Sequence, residues 1–87
     1  MPDFVVLSEL VVDRNALAPV REAHFAYLKG LKDDGKLILA GRFGDGRGGM
    51  YILSTTDEAE ARRIAEADPY HAARLRSFVV RPWERRL

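Results

Sequence analysis

His24 sits in the middle of an otherwise apolar helical face, and Asp68 stands directly before Pro69 at the end of a second helical segment. Both side chains are expected to point inward. An imidazole and a carboxylate sent toward one core are costly to bury unless partnered, and each is the cheapest partner for the other. Such a pair makes a usable general base: the carboxylate fixes the tautomer, orients the ring and stabilises the imidazolium that forms when a proton is taken. The only serines are Ser8, Ser54 and Ser77, and none lies in a G-x-S-x-G pattern. An acyl-enzyme hydrolase is therefore not expected, and proton abstraction from an activated carbon or hydroxyl is. Plainer readings compete. His24 can be a core histidine met by backbone groups, Tyr27 or Tyr51, and Asp68 can cap the turn that follows it or meet His71 three residues on. Capping and catalysis are compatible if one oxygen caps while the other orients His24. His71 itself reads as surface or rim.

Arg21 lies one turn before His24, where it can clamp a substrate carboxylate or phenolate, or pair on the surface with Glu22 or Glu9. The loop Gly41 to Gly49 carries Arg42 and Arg47, which can meet an anion. Its spacing fits neither a Walker A loop nor a dinucleotide fingerprint, so a flexible hairpin turn is the simpler reading. Arg21, Arg42 and Tyr51 are thus the candidate substrate contacts. With neither an H-x-x-x-H motif nor a carboxylate cluster at standard spacing, no metal site is expected, and no organic cofactor signature is present. Trp83 and Phe78 read as packing residues.

The chain has 87 residues, a net charge of +1 and no cysteine. One small domain spanning residues 1–87 follows, near the size where a single core is only marginally sufficient, so burial through oligomerisation is expected to help. The charge gives no general pull on nucleic acid or membrane, and the lack of cysteine excludes disulfides and thiol catalysis. No basic leader precedes the first apolar run, and no stretch approaches the ~20 apolar residues of a membrane span. A cytoplasmic protein is the default expectation.

The elements that must position these residues follow from periodicity. Phe4 to Val12, rich in Val and Leu, reads as a strand. From Asn15 to Asp34, Leu17, Val20, His24, Tyr27, Leu28 and Leu31 form one stripe of an amphipathic helix, capped by Asp13 or Asn15 and closed by Gly35. Lys36 to Phe43 and Met50 to Thr55 form a β-hairpin around GDGRGG. The segment TTDEAEARRIAEAD makes a second helix with Ala61, Ile64 and Ala65 inward. Pro69 stops it at Asp68, with at most a short further turn. Ser77 to Trp83 reads as a last strand ended by Pro82. The order βαββαβ favours an α+β, ferredoxin-like fold: a four-stranded antiparallel sheet with two helices on one face. The strands are apolar on both sides, so the uncovered face needs a cover, and a second copy packed sheet to sheet is the simplest one.

The run REAHFAYLKGLKDDGKLILAG, the hairpin into GGMYIL, the helix ending in ADPY and the closing VVRPW together resemble the YCII-related (YciI-like) family of the dimeric α/β-barrel superfamily. The resemblance covers nearly the whole chain. It implies the same fold, a homodimer packed through its sheets, and an active site formed by a His and Asp pair that carries over onto His24 and Asp68. It further implies a small cofactor-independent enzyme with lyase or isomerase chemistry on a ring or carbonyl compound. Arg42 follows Ala40 and Gly41 where many relatives have a small residue or proline, which makes the pocket rim more basic and leaves the ligand open. The alternative is a non-catalytic small-ligand-binding or regulatory dimer, since fold does not settle function. RNA binding finds little support: RGGMYIL echoes an RNA-recognition motif, but only Tyr51 stands at a stacking position. A cofactor-free monooxygenase is the runner-up among enzymes.

Overall fold

The computed structural model describes residues 1–87. Its first strand, β1 (Asp3–Leu10), alternates buried and half-buried positions, and Phe4, Val6 and Ser8 share the inward phase. It ends two residues earlier than its apolar composition suggests, because Val11 and Val12 are exposed. A single 3-10 turn over Arg14–Leu17 follows, capped by Asp13, whose carboxylate accepts from the Asn15 amide at 2.8 Å. The helix proper, α1 (Ala18–Asp33), then starts with Pro19 in its first turn, where a missing N–H costs nothing. The single long helix expected from Asn15 is thus a 3-10 turn and a shorter α-helix.

The hairpin is β2 (Leu37–Arg42) and β3 (Gly48–Ser54), with an irregularity between Leu37 and Leu39. Its neck is a close backbone approach. Gly48 has φ of +144°, and a Cβ there would run into the Ser8 carbonyl, while one at Gly49 would strike the Gly41 carbonyl. Glycine is the residue that fits both places. Helix α2 (Glu58–Ala67) has a reciprocal cap: Asp57 accepts from the Glu60 amide at 2.9 Å, and Glu60 accepts from the Thr56 amide and hydroxyl at 2.9 and 2.8 Å. One turn of helix, α3 (Pro69–Ala72), leads to β4 (Arg76–Trp83).

The strands pair antiparallel in the order β2-β3-β1-β4, so the α+β, ferredoxin-like arrangement is the fold. Its edge position explains why Pro82 does not end β4: an edge strand leaves one side without ladder bonds, and pairing continues through Trp83 opposite Asp3. Between sheet and helices lies a core of Phe4, Val6, Leu28, Leu31, Leu53 and Ile64 with their neighbours. Ala61 and Ala65, both fully buried, let α2 lie close to the sheet. The Tyr27 hydroxyl donates to the Ile64 carbonyl at 2.7 Å and ties α1 to α2. No helix is long and apolar enough to cross a membrane.

Candidate functional site

Helix α1 brings His24 inward in phase with Leu17, Leu28 and Leu31, and the break at Pro69 turns Asp68 inward from the junction of α2 and α3. Asp68 is fully buried. His24 Nδ1 lies 2.8 Å from Asp68 Oδ1. An ionised carboxylate only accepts, so Nδ1 carries the proton and donates. The Tyr70 amide donates to the same Oδ1 at 2.9 Å, and the Tyr51 hydroxyl donates to Oδ2 at 3.1 Å. Capping and orienting therefore fall on one oxygen, not on two as the sequence suggested, and the second oxygen is held by Tyr51.

These contacts decide the charge state of the pair. Burial alone would raise the Asp68 carboxyl, but the hydrogen bond and charge of His24, with smaller help from His71 and the Tyr70 amide, outweigh it and hold the group below the usual carboxylate range. Tyr51 moves the other way. Burial first, then the Asp68 charge and the hydrogen bond to it, raise the phenol far above the ordinary tyrosine range, so Tyr51 remains a donor. His24 Nε2 makes no hydrogen bond within the protein, and His24 lines a cavity of about 470 Å³. This arrangement can accept a proton at Nε2 while Asp68 stabilises the resulting cation.

His71, read as surface or rim, is buried instead, and its ring nitrogens meet Ser8 and the Ala65 carbonyl rather than the Asp68 carboxylate. Its Nδ1 donates to the Ala65 carbonyl at 2.7 Å, and its ring stacks on Phe78 with centroids 4.5 Å apart. Burial is the largest influence on this imidazole and lowers its pKa, which favours the neutral ring. Nε2 is then an acceptor, and the Ser8 hydroxyl donates to it at 2.7 Å. Ser8 also lines the cavity, so the chain holds a serine–histidine pair that no linear motif announced. Its signal was Ser8's place in the inward phase of β1.

Arg21 and Arg42 both line the cavity and are exposed, and Tyr51 forms part of its floor. Arg47 does not reach it and lies beside Asp45 and Leu10 in a smaller depression. Two further residues escaped the sequence reading. The Tyr70 ring stacks on His24 with centroids 3.9 Å apart and planes inclined by 16°. Arg76 shares the inward phase of β4 with Phe78 and Val80, and its guanidinium carbon stands 4.6 Å from the Tyr70 ring centroid. Trp83 is exposed, whereas Phe78 packs against the core. No cluster of three or more His, Cys, Asp or Glu side chains is placed to hold a metal ion.

Comparison with known proteins agrees with this geometry at the level of fold and family. A solved structure, the 5-chloro-2-hydroxyhydroquinone dehydrochlorinase TftG from Burkholderia phenoliruptrix AC1100 in complex with 2,5-dihydroxybenzoquinone, superposes with a TM-score of 0.82. It is 22% identical, over 94% of this chain and 93% of that one. YjpA, an uncharacterized protein of Bacillus subtilis (strain 168), is 30% identical over 61 residues, which are 70% of this chain and 72% of YjpA. The family model for the YCII-related domain matches residues 4–84, so the chain belongs to the YCII-related family.

Proposed function

We propose that the protein is a small cofactor-independent enzyme in which His24 and Asp68 perform general acid/base chemistry, of lyase or isomerase type, on a small ring or carbonyl compound. The observation that carries this reading is the buried His24–Asp68 contact of 2.8 Å, with Nε2 left without a protein partner at the cavity. In the forward step Nε2 takes a proton from an activated carbon or hydroxyl. The electron pair released forms a new double bond, and a leaving group departs with its own pair or the proton returns at another atom. Asp68 stays ionised throughout, held by the Tyr51 hydroxyl and the Tyr70 amide, and stabilises the imidazolium. Arg21 and Arg42 at the cavity, with Tyr51 beneath, are the substrate contacts in this proposal. The dehydrochlorinase of similar fold, bound to a dihydroxybenzoquinone, supports a ring compound as ligand.

A homodimer belongs to the same proposal. Cross-strand pairing puts Val5, Leu7, Leu39, Met50, Ile52 and Val79 on the sheet face opposite the helices. Leu39 and Val79 are 50% and 53% exposed in the single chain. A second sheet laid on this face would cover them.

The test is deuterium uptake from D2O at acidic carbons of a panel of hydroxyquinones and cyclic diketones, followed by proton NMR. Catalysed exchange that disappears in His24→Gln supports the enzyme. Saturable binding of these compounds with no exchange or turnover in the wild type replaces it with the ligand-binding module.

A further inference from the structure

The strongest unsatisfied group in the molecule lies in the same cavity, on a residue with no role in the chemistry above. Arg76 Nε is buried and finds no acceptor in the protein. A buried donor left without a partner costs about 1–3 kcal/mol, so its retention calls for an explanation. The side chain faces the cavity and lies against Tyr70, which in turn stacks on His24.

The cavity's charge is one-sided. Arg14, Arg21, Lys29, Lys32, Arg42 and Arg76 line it, and no carboxylate does. Lys29 is paired with Asp33, and Lys32 donates to the Ile38 carbonyl, but Arg14, Arg21, Arg42 and Arg76 make no ion pair. Apolar walls from Leu17, Phe25, Leu28 and Leu37 complete the space, which at about 470 Å³ takes a monocyclic body. A ring with an anionic end is the complementary shape and charge.

We infer that Arg76 anchors a carboxylate of the ligand, which makes the substrate a ring-sized organic carboxylate; this deepens, and rests on, the reading of the His24 cavity as the working site. The edge of a guanidinium formed by Nε and one terminal nitrogen presents two parallel N–H groups, which match the two oxygens of a carboxylate; Nε is covered, so the half-buried Arg76 side chain must turn to present this edge to the ligand. A phenol or ketone oxygen engages that edge with one atom only. Tyr70 is in contact with both Arg76 and His24, and a ligand held by Arg76 shares its cavity with His24. Arg76 is thus a specificity residue, and His24 remains the base.

The experiment titrates benzoate, benzamide and inorganic phosphate into isotope-labelled wild type and Arg76→Gln, reading the Arg76 Nε–H and His24 ring resonances. Benzoate is expected to move both resonances and to bind at least about ten-fold tighter than benzamide, and Arg76→Gln is expected to remove that preference. Should Arg76→Gln not fold, the wild-type Arg76 Nε–H response to benzoate against benzamide decides the matter. Equal binding of the two, or unchanged benzoate affinity in Arg76→Gln, overturns the assignment. Phosphate binding more tightly than benzoate through Arg76 overturns the carboxylate. Because no probe is turned over, failure of His24 as a base leaves this result intact, and failure here leaves the His24–Asp68 pair untouched.

Discussion

Replacing Asp68 by alanine strips one carboxylate from three donors at once: His24 Nδ1 at 2.8 Å, the Tyr70 amide at 2.9 Å and the Tyr51 hydroxyl at 3.1 Å. Asp68 is fully buried, so bulk water does not simply take the place of the lost acceptor. Removing one partner of a buried charged pair costs about 3–5 kcal/mol, and leaving each neutral donor unmatched about 1–3 kcal/mol, contributions that overlap when the pocket relaxes. A loss of about 3–5 kcal/mol is expected, against a total of roughly 4–13 kcal/mol for a domain of this length. Asp68→Asn keeps the shape. Its amide oxygen still accepts from His24 and Tyr70, and the Tyr51 hydroxyl can turn to accept from the new amide. Only the charge is lost, for about 1–2 kcal/mol. Urea unfolding followed by far-UV circular dichroism, at fixed protein concentration and with an unchanged m-value, reads both variants. If alanine costs less than about 1 kcal/mol, or if alanine and asparagine cost the same, the three-donor account is wrong.

Three further outcomes follow from other parts of the fold. Burial depresses the His71 pKa, so below about pH 6.5 the unfolded chain takes up a proton that the native ring resists. Stability should then fall as pH drops below about 6.5, by up to about 1.4 kcal/mol per pH unit from this group. His71→Gln should flatten that slope, and an unaltered slope would exclude His71 as its source. The Asp68 contribution has a different window: it is complete above about pH 4 and is lost only as pH falls through the depressed native value. Gly49→Ala places a methyl against the Gly41 carbonyl, so the β2–β3 hairpin must open. A drop of at least about 2 kcal/mol in urea unfolding is expected, and wild-type stability would show that the strands do not approach this closely. Val79→Glu puts a charge in the middle of the proposed sheet-to-sheet interface. Light scattering should find the wild type at twice the chain mass and the variant at the chain mass, while a monomeric wild type would remove the dimer.

The order of elements was legible because short Val- and Leu-rich runs, apolar on both sides, alternate with stretches of helical period, and Asp13 marks the start of the first helical stretch. Pro82 misled because its meaning depends on whether β4 is an edge strand, which is a property of sheet order rather than of local sequence. His24 and Asp68 could be found because each is a polar residue in an apolar phase. Ser8 and Arg76 carried the same kind of signal in their strands. Alternation in β1 and β4 sends both inward, but neither belongs to a chemical motif. Where His71 goes was not legible. A single turn of helix after Pro69 has no periodicity of its own, and its direction is set by Phe78, Ala65 and Ser8, which the fold brings together from three separate elements.

The central claim is that ionised Asp68 holds the Nδ1–H of His24 and leaves Nε2 free to take a proton. The His24 Nδ1–H resonance, read by proton and nitrogen NMR in wild type and in Asp68→Asn with His71 assigned as an internal control, tests it most directly. A proton shared with a carboxylate oxygen 2.8 Å away is strongly deshielded, so the Nδ1–H signal should lie far downfield in wild type and move upfield in Asp68→Asn, where a neutral amide oxygen accepts, with a smaller change at His71. An Nδ1–H signal that does not respond to Asp68→Asn would make Asp68 a helix cap alone and would contradict the account.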